Sequence, residues 1–220
     1  MKIIITGMHR SGTSMIAGLL KLCGLYLGNN LIGGLKDNPK GHFEDRDFVH
    51  INHKLFLENE GEWGLPPQKI QKISPKLQAE IKAFLRKWPR DRLVGWKDPR
   101  ACITLPVWIK AIKPEPLKVV LIRRPVTEIA QSLKKRNNFT YDKSAWLTRF
   151  YIESAKENLK GIPYIETHYH RYFENWKAEL KKVCEFIGLR QPEDTSQIES
   201  FIDPKLWHHR SSEGALHVVR

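Results

Sequence analysis

No run of apolar residues in this chain approaches the roughly 20 needed to span a membrane. Nor is there a basic start followed by an apolar core and a small-residue cleavage site. Ile3-Ile4-Ile5 reads as a strand with a turn behind it, so the N-terminus is expected to belong to the fold. Cysteine is scarce. Cys23, Cys102 and Cys184 are odd in number and scattered, which argues against a disulfide framework and fits a reducing, cytoplasmic setting. Each reads as a small core residue, not a nucleophile. Repeats, low-complexity tracts and linkers are absent, so residues 1–220 are read as one domain. No Ser/His/Asp signature and no recognised nucleic-acid motif appears, so no nucleic-acid partner is expected. His50 and His53 share a helix face, but no cysteine or third ligand stands nearby in sequence, and no metal is expected.

Positive charge, by contrast, is abundant. The formal net charge is +13, which suits an anionic ligand, a nucleic acid or an acidic membrane face. Solubility is the plainer explanation, and charge alone does not choose. Short apolar runs alternate with amphipathic segments. Strands are expected at residues 2–6, 93–96, 118–122 and 163–166, and helices at 11–23, 44–58, 75–88, from 125, and at 176–187. Residues 29–42, rich in Gly, Asn and Pro, read as a loop. This alternation implies an α/β fold with a mainly parallel sheet covered by helices on both faces. Ligands of such sheets sit beyond the C-terminal strand ends. The strand ends at residues 7–14, 97–100 and 123–124 should therefore converge.

The first of these, Gly7-Met8-His9-Arg10-Ser11-Gly12-Thr13-Ser14, has a Gly-x-x-x-x-Gly turn between a strand and a helix. That geometry cradles anions. Glycine admits close approach, and the unpaired N–H groups and dipole of the helix start attract negative charge. The nucleotide-hydrolase form of the motif continues Gly-Lys-Ser/Thr. Here Thr13 stands where the lysine would be, and Arg10 lies inside the loop, which weakens a kinase or ATPase reading.

These residues resemble the 5′-phosphosulfate loop of sulfotransferases that use 3′-phosphoadenosine 5′-phosphosulfate (PAPS). The resemblance implies that Arg10 takes the basic position and that Ser11, Gly12, Thr13 and Ser14 hold the 5′-phosphate. A second stretch, Val119-Val120-Leu121-Ile122-Arg123-Arg124-Pro125-Val126-Thr127-Glu128-Ile129-Ala130-Gln131-Ser132, is similar to the family's 3′-phosphate motif, an arginine at a strand end with a serine eight positions later. Arg124 and Ser132 have that spacing. A guanidinium and a hydroxyl two turns into a helix can grip one phosphate. Arg123 should face the other side. Phe186-Ile187-Gly188-Leu189 matches the family's C-terminal pattern, in which Tyr169 either approaches the adenine or packs in the core. The tail through Trp207 and Arg210 looks like an ending of bacterial members that folds over the nucleotide, the alternative being a basic surface tail.

The resemblance thus implies a three-layer, P-loop-like sulfotransferase fold, PAPS as donor with 3′-phosphoadenosine 5′-phosphate (PAP) as product, and no metal. The acceptor would be a small molecule or carbohydrate bearing a hydroxyl or amine. Arg10 would stabilise the leaving phosphate. The segment Asn38-Pro39-Lys40-Gly41-His42-Phe43-Glu44-Asp45 resembles a loop that carries the catalytic glutamate in some bacterial members. Glu44 is the first choice of base, with His42 and Asp45 in reserve. The alternative for Glu44 or Asp45 is a helix first turn favoured by the dipole. Lys97 and Arg100, with His42, are assigned to the acceptor; otherwise Asp98 is a helix cap and Lys97 a structural ion-pair partner. Two other functions remain open: a P-loop small-molecule kinase, and a non-catalytic polyanion binder.

Overall fold

The computed structural model describes residues 1–34 and 38–207. In chain order its elements are β1 (Lys2–Thr6), α1 (Thr13–Leu22), α2 (Arg46–Leu57), α3 (Pro75–Arg86), β2 (Val94–Lys97), α4 (Ala101–Ile112), β3 (Leu117–Arg123), α5 (Val126–Asn137), α6 (Tyr141–Asn158), β4 (Tyr164–His168), α7 (Arg171–Glu174), α8 (Trp176–Ile187) and α9 (Ser196–Phe201). The strands form one parallel sheet in the order β2-β1-β3-β4.

Both faces of this sheet are covered, which is why β1 and β3 are nearly continuous apolar runs. Ile4, Val94, Trp96, Val119 and Leu121 point into one core, shared with residues of α2 to α6. Ile3, Ile5, Val120 and Ile122 point into the other, shared with α1, α8 and α9. The three-layer α/β expectation holds. Because β1 lies between β2 and β3, the chain reverses its direction of travel across the sheet at β1, the place where a crevice opens in such folds.

Local chemistry sets several helix boundaries. Ser74 caps α3 by accepting from the Leu77 N–H at 3.2 Å, and Pro75 starts the helix. Gly188 adopts a left-handed conformation and ends α8. Four helices, α4, α6 and the short α7 and α9, fall where the sequence reading assigns none. Helix α4 is buried on most sides and contains Pro106, so it shows little amphipathic period and carries a breaker. Helix α6 buries small or polar residues such as Ser144, Ala145, Thr148 and Ala155, which a hydrophobic pattern does not register.

Candidate functional site

The loop between β1 and α1 depends on two glycines. A Cβ on Gly7 would lie 2.5 Å from the Ile122 carbonyl oxygen of β3. Gly12 has φ of 98°, and a Cβ there would strike the Tyr169 ring. Arg10 also takes a positive φ, 68°, which disfavours any residue with a Cβ by about 1–2 kcal/mol. The Ser11 N–H donates to the Met8 carbonyl at 3.1 Å and closes the turn. Helix α1 then follows Gly12, which occupies the cap position and offers no side-chain cap, so its first-turn N–H groups stay available. Gly12, Thr13 and Ser14 line a cleft above the sheet, with Arg10 beside them. Ser11 is buried beneath it, and its Oγ has no partner among the described residues.

Arg10 joins this loop to the end of β3. Its Nε donates to Ser132 Oγ at 2.9 Å, and its carbonyl accepts from Arg124 NH1 at 3.2 Å. Ser132 thus meets the loop arginine rather than Arg124 directly. The Arg124 Nε donates to Glu128 Oε2 at 2.7 Å, and its guanidinium lies 4.5 Å from the Tyr169 ring centre. Arg123 turns away, as expected, and pairs with Glu166 at 3.1 Å.

The end of β2 supplies the opposite wall. Lys97 is 2% exposed, and its Nζ donates to Glu44 Oε1 at 2.5 Å. Both line the cleft, together with His42. Glu44 precedes α2 and lies outside its first turn. Asp45 does not: its Oδ1 accepts from the Phe48 N–H at 3.0 Å, so it is the cap of α2. Burial pushes its carboxyl up, against the pull of that N–H. This is the helix-start alternative that the sequence reading gave for Asp45. Arg100 is turned inward. It holds the buried Asp98, whose other partner is Asn52 Nδ2 at 3.0 Å. Asn52 in turn accepts from Thr104 Oγ1 and Trp108 Nε1 at 2.7 and 2.8 Å. Burial raises the Asp98 carboxyl while Arg100 opposes it. Asp98 Oδ1 also accepts the Arg100 N–H at 2.9 Å, bracing the turn into α4.

His9 lines the same cleft, and the sequence reading passed over it. Its ring lies 4.8 Å from Trp63 and 5.7 Å from Tyr151, and its Nε2 is buried without a partner among the described residues. Burial holds its pKa well below the ordinary histidine value; Arg100, Arg136, Lys97 and Arg10 push the same way. The only signal was its place in the loop, directly before Arg10.

Comparison with solved structures shows which fold carries this cleft. The sulfotransferase domain from the Synechococcus PCC 7002 olefin synthase matches with a TM-score of 0.52 and 17% identity, over 98% of this chain and 85% of that one. The sulfotransferase domain from the curacin biosynthetic pathway matches at 0.54 and 13%, over 95% and 78%. A sulfotransferase from Mycobacterium tuberculosis H37Rv matches at 0.50 and 14%, over 90% and 70%. The chain has a sulfotransferase fold. No protein-family model and no curated protein matches it.

Tyr169 is nearly buried, yet its ring both supports Gly12 and lines the cleft. Trp207 stacks on Phe173 at 4.8 Å and donates from Nε1 to Glu128 Oε2 at 2.9 Å. Arg210 lies outside the described residues. Lys40 Nζ donates to the Phe201 carbonyl at 2.7 Å and so ties the segment carrying His42 and Glu44 to the end of α9. Among the described residues no group of three or more His, Cys, Asp or Glu is arranged to hold a metal, and no helix is long and apolar enough to cross a membrane.

Proposed function

We propose that this chain is a PAPS-dependent sulfotransferase that transfers a sulfuryl group to the hydroxyl or amine of a small-molecule or carbohydrate acceptor. The observation that carries this reading is Arg10. Its side chain bonds Ser132 and its carbonyl accepts from Arg124, so the glycine loop and the end of β3 form one anion-binding wall. The residues fit the donor. A cradle that a Cβ at Gly7 would fill, the start of α1 and two arginines suit a 3′,5′-bisphosphate. Without the lysine of a nucleotide hydrolase, the loop is less suited to a triphosphate.

PAPS supplies an activated sulfuryl group, and its S–O bond to the 5′-phosphate is the bond that breaks. Thr13, Ser14 and the first N–H groups of α1 hold the 5′-phosphate. Arg10 faces the oxygen on which negative charge builds. Arg124, with Ser132 behind Arg10, holds the 3′-phosphate. Glu44 takes the proton of the acceptor hydroxyl, and Lys97 fixes its carboxylate in place. His42 contributes to the acceptor side of the cleft, and Arg100 supports that side through Asp98. The reaction uses no metal, the chain acts as one domain, and its three buried, unbridged cysteines agree with a cytoplasmic setting.

Thermal shift with PAP, ATP and AMP in the absence of magnesium tests this. PAP is expected to stabilise the protein most, and Arg124→Ala to remove that preference. Equal stabilisation by all three nucleotides would overturn the reading, and magnesium-dependent ATP turnover would replace it with a kinase.

A further inference from the structure

Phe43 stands directly before Glu44, and its backbone has a φ of 55°, in the left-handed region. A bulky side chain is an outlier there, because its Cβ crowds the following carbonyl oxygen. Such a conformation persists only where surrounding contacts hold it. Here the contacts come from three places. The Phe43 ring packs edge-on against Phe201, the last residue of α9, with ring centres 5.8 Å apart. Both rings lie against Gly18 of α1, where a Cβ would come within 2.3 Å of Phe201 Cζ and 3.0 Å of Phe43 Cε2. Lys40 closes the socket. Its Nζ donates to the carbonyls of Ser200 and Phe201 at 3.1 and 2.7 Å and lies 5.2 Å from the Phe201 ring centre.

The consequence falls on Glu44. Residues 38–41 form a closed turn, in which Asn38 Nδ2 donates to the Gly41 carbonyl at 2.7 Å. On the other side, the Glu44 carbonyl accepts from the Ile32 N–H at 2.8 Å, and the Arg46 N–H donates to the Asn30 carbonyl at 3.0 Å. Between these two fixed stretches, His42 and Phe43 set the direction in which the chain reaches Glu44. The left-handed residue turns the path, so two neighbouring side chains diverge. The Phe43 ring goes to α1 and α9, and the Glu44 carboxylate goes to Lys97 at the end of β2.

We propose that Phe43 is the positioning residue for Glu44: the socket made by Gly18, Phe201 and Lys40 holds its ring, and the left-handed turn this fixes aims the Glu44 carboxylate at Lys97 and the acceptor. Gly18 is buried in the middle of α1, where alanine is the better helix former, and the room it leaves is taken by the two rings. Gly18 lies outside the cleft lining and away from the glycine loop, so the socket acts on the acceptor side and not on donor binding. This inference rests on the reading of Glu44 as the base.

The test uses Gly18→Ala, which fills the socket without altering a cleft residue. Three quantities are compared with wild type: amide hydrogen exchange at Ile32 and Arg46, the rate of PAP release from PAPS at saturation with water as acceptor, and calorimetric PAP affinity. Exchange at both amides is expected to quicken about tenfold or more. PAP release should slow about tenfold or more while PAP affinity stays within about threefold. A wild-type value of either exchange or release would overturn the inference. So would a parallel fall in PAP affinity, which would make the socket a support of the donor site. Should Gly18→Ala fail to fold, Phe43→Gly removes the ring and takes the same φ without strain, and the same three outcomes apply. If Glu44→Gln leaves PAP release unchanged, the reading of Glu44 as base fails instead. Exchange at Ile32 and Arg46 then still decides whether Phe43 holds the segment, so the two failures are told apart.

Discussion

Residues 7–14 hold their shape by backbone geometry, whereas Glu44 and Lys97 are held by an ion pair between distant segments, and Asp98 and Arg100 by one within the turn into α4. On the loop side, two glycines and the uncapped start of α1 present N–H groups whose positions hardly depend on side-chain rotamers. On the carboxylate side, Lys97 at the end of β2 meets Glu44 from 53 residues earlier, and Asn52 ties α2 to Asp98 and α4. A rigid backbone cradle suits a ligand part that does not vary. Side-chain pairs suit a part that differs from one enzyme to the next. Under the function proposed above, the pair side would be the place for acceptor choice.

The sharpest way to break this comparison is Gly12→Val. The new side chain meets the Tyr169 ring at a backbone angle that disfavours β-branching. A loss of about 3 kcal/mol in urea unfolding is expected, with PAP binding abolished. A wild-type unfolding midpoint would show that the loop side is adaptable after all. Glu44→Gln probes the other side. It should lower PAP release from PAPS by about 100-fold or more while PAP affinity stays within about threefold. Parallel loss of both would place Glu44 in donor binding and erase the division.

Asn52→Ala removes the hub under the Asp98 turn and leaves Trp108 Nε1, Thr104 and Asp98 each short of a partner. About 2 kcal/mol of stability should be lost, with PAP affinity unchanged. A large fall in PAP affinity would show that the two sides are mechanically coupled. His9 gives the smallest effect. Its folded-state pKa is depressed, chiefly by burial, so the unfolded chain binds the proton more readily. Stability should therefore decline as pH falls below the ordinary histidine value of 6.5, and His9→Asn should flatten part of that slope. His168, also lowered mainly by burial, adds a slope of the same sign that this substitution leaves in place. An unaltered slope in the variant would mean that His9 is protonated equally well folded and unfolded.

Legibility followed range along the chain. Strand β1 and helix α8 were readable to the residue, because an apolar run before a glycine turn and an amphipathic run before Gly188 are local signals. The outward turn of Arg123 followed from strand alternation alone. Glu44 and Asp45 are adjacent and chemically alike, and nothing in their order says which one caps α2; the packing of the helix start decided that. His9 and Glu128 look like ordinary loop and helix residues until Trp63, Tyr151, Arg124 and Trp207 close around them from positions 54 to 142 residues later for His9, and 4 and 79 away for Glu128.

The sequence by itself determined the alternation of strands and helices, the glycine loop without its lysine and the basic strand ends, since each rests on neighbours within a few residues. Only the tertiary structure decided that Arg10 bridges Ser132 and Arg124, that Lys97 pairs with Glu44 and that Glu128 faces both Arg124 and Trp207. The physical reason is that backbone conformation is set by local sterics and hydrogen bonding, whereas the partner of a buried charge is chosen by whichever distant elements the sheet brings to the same edge.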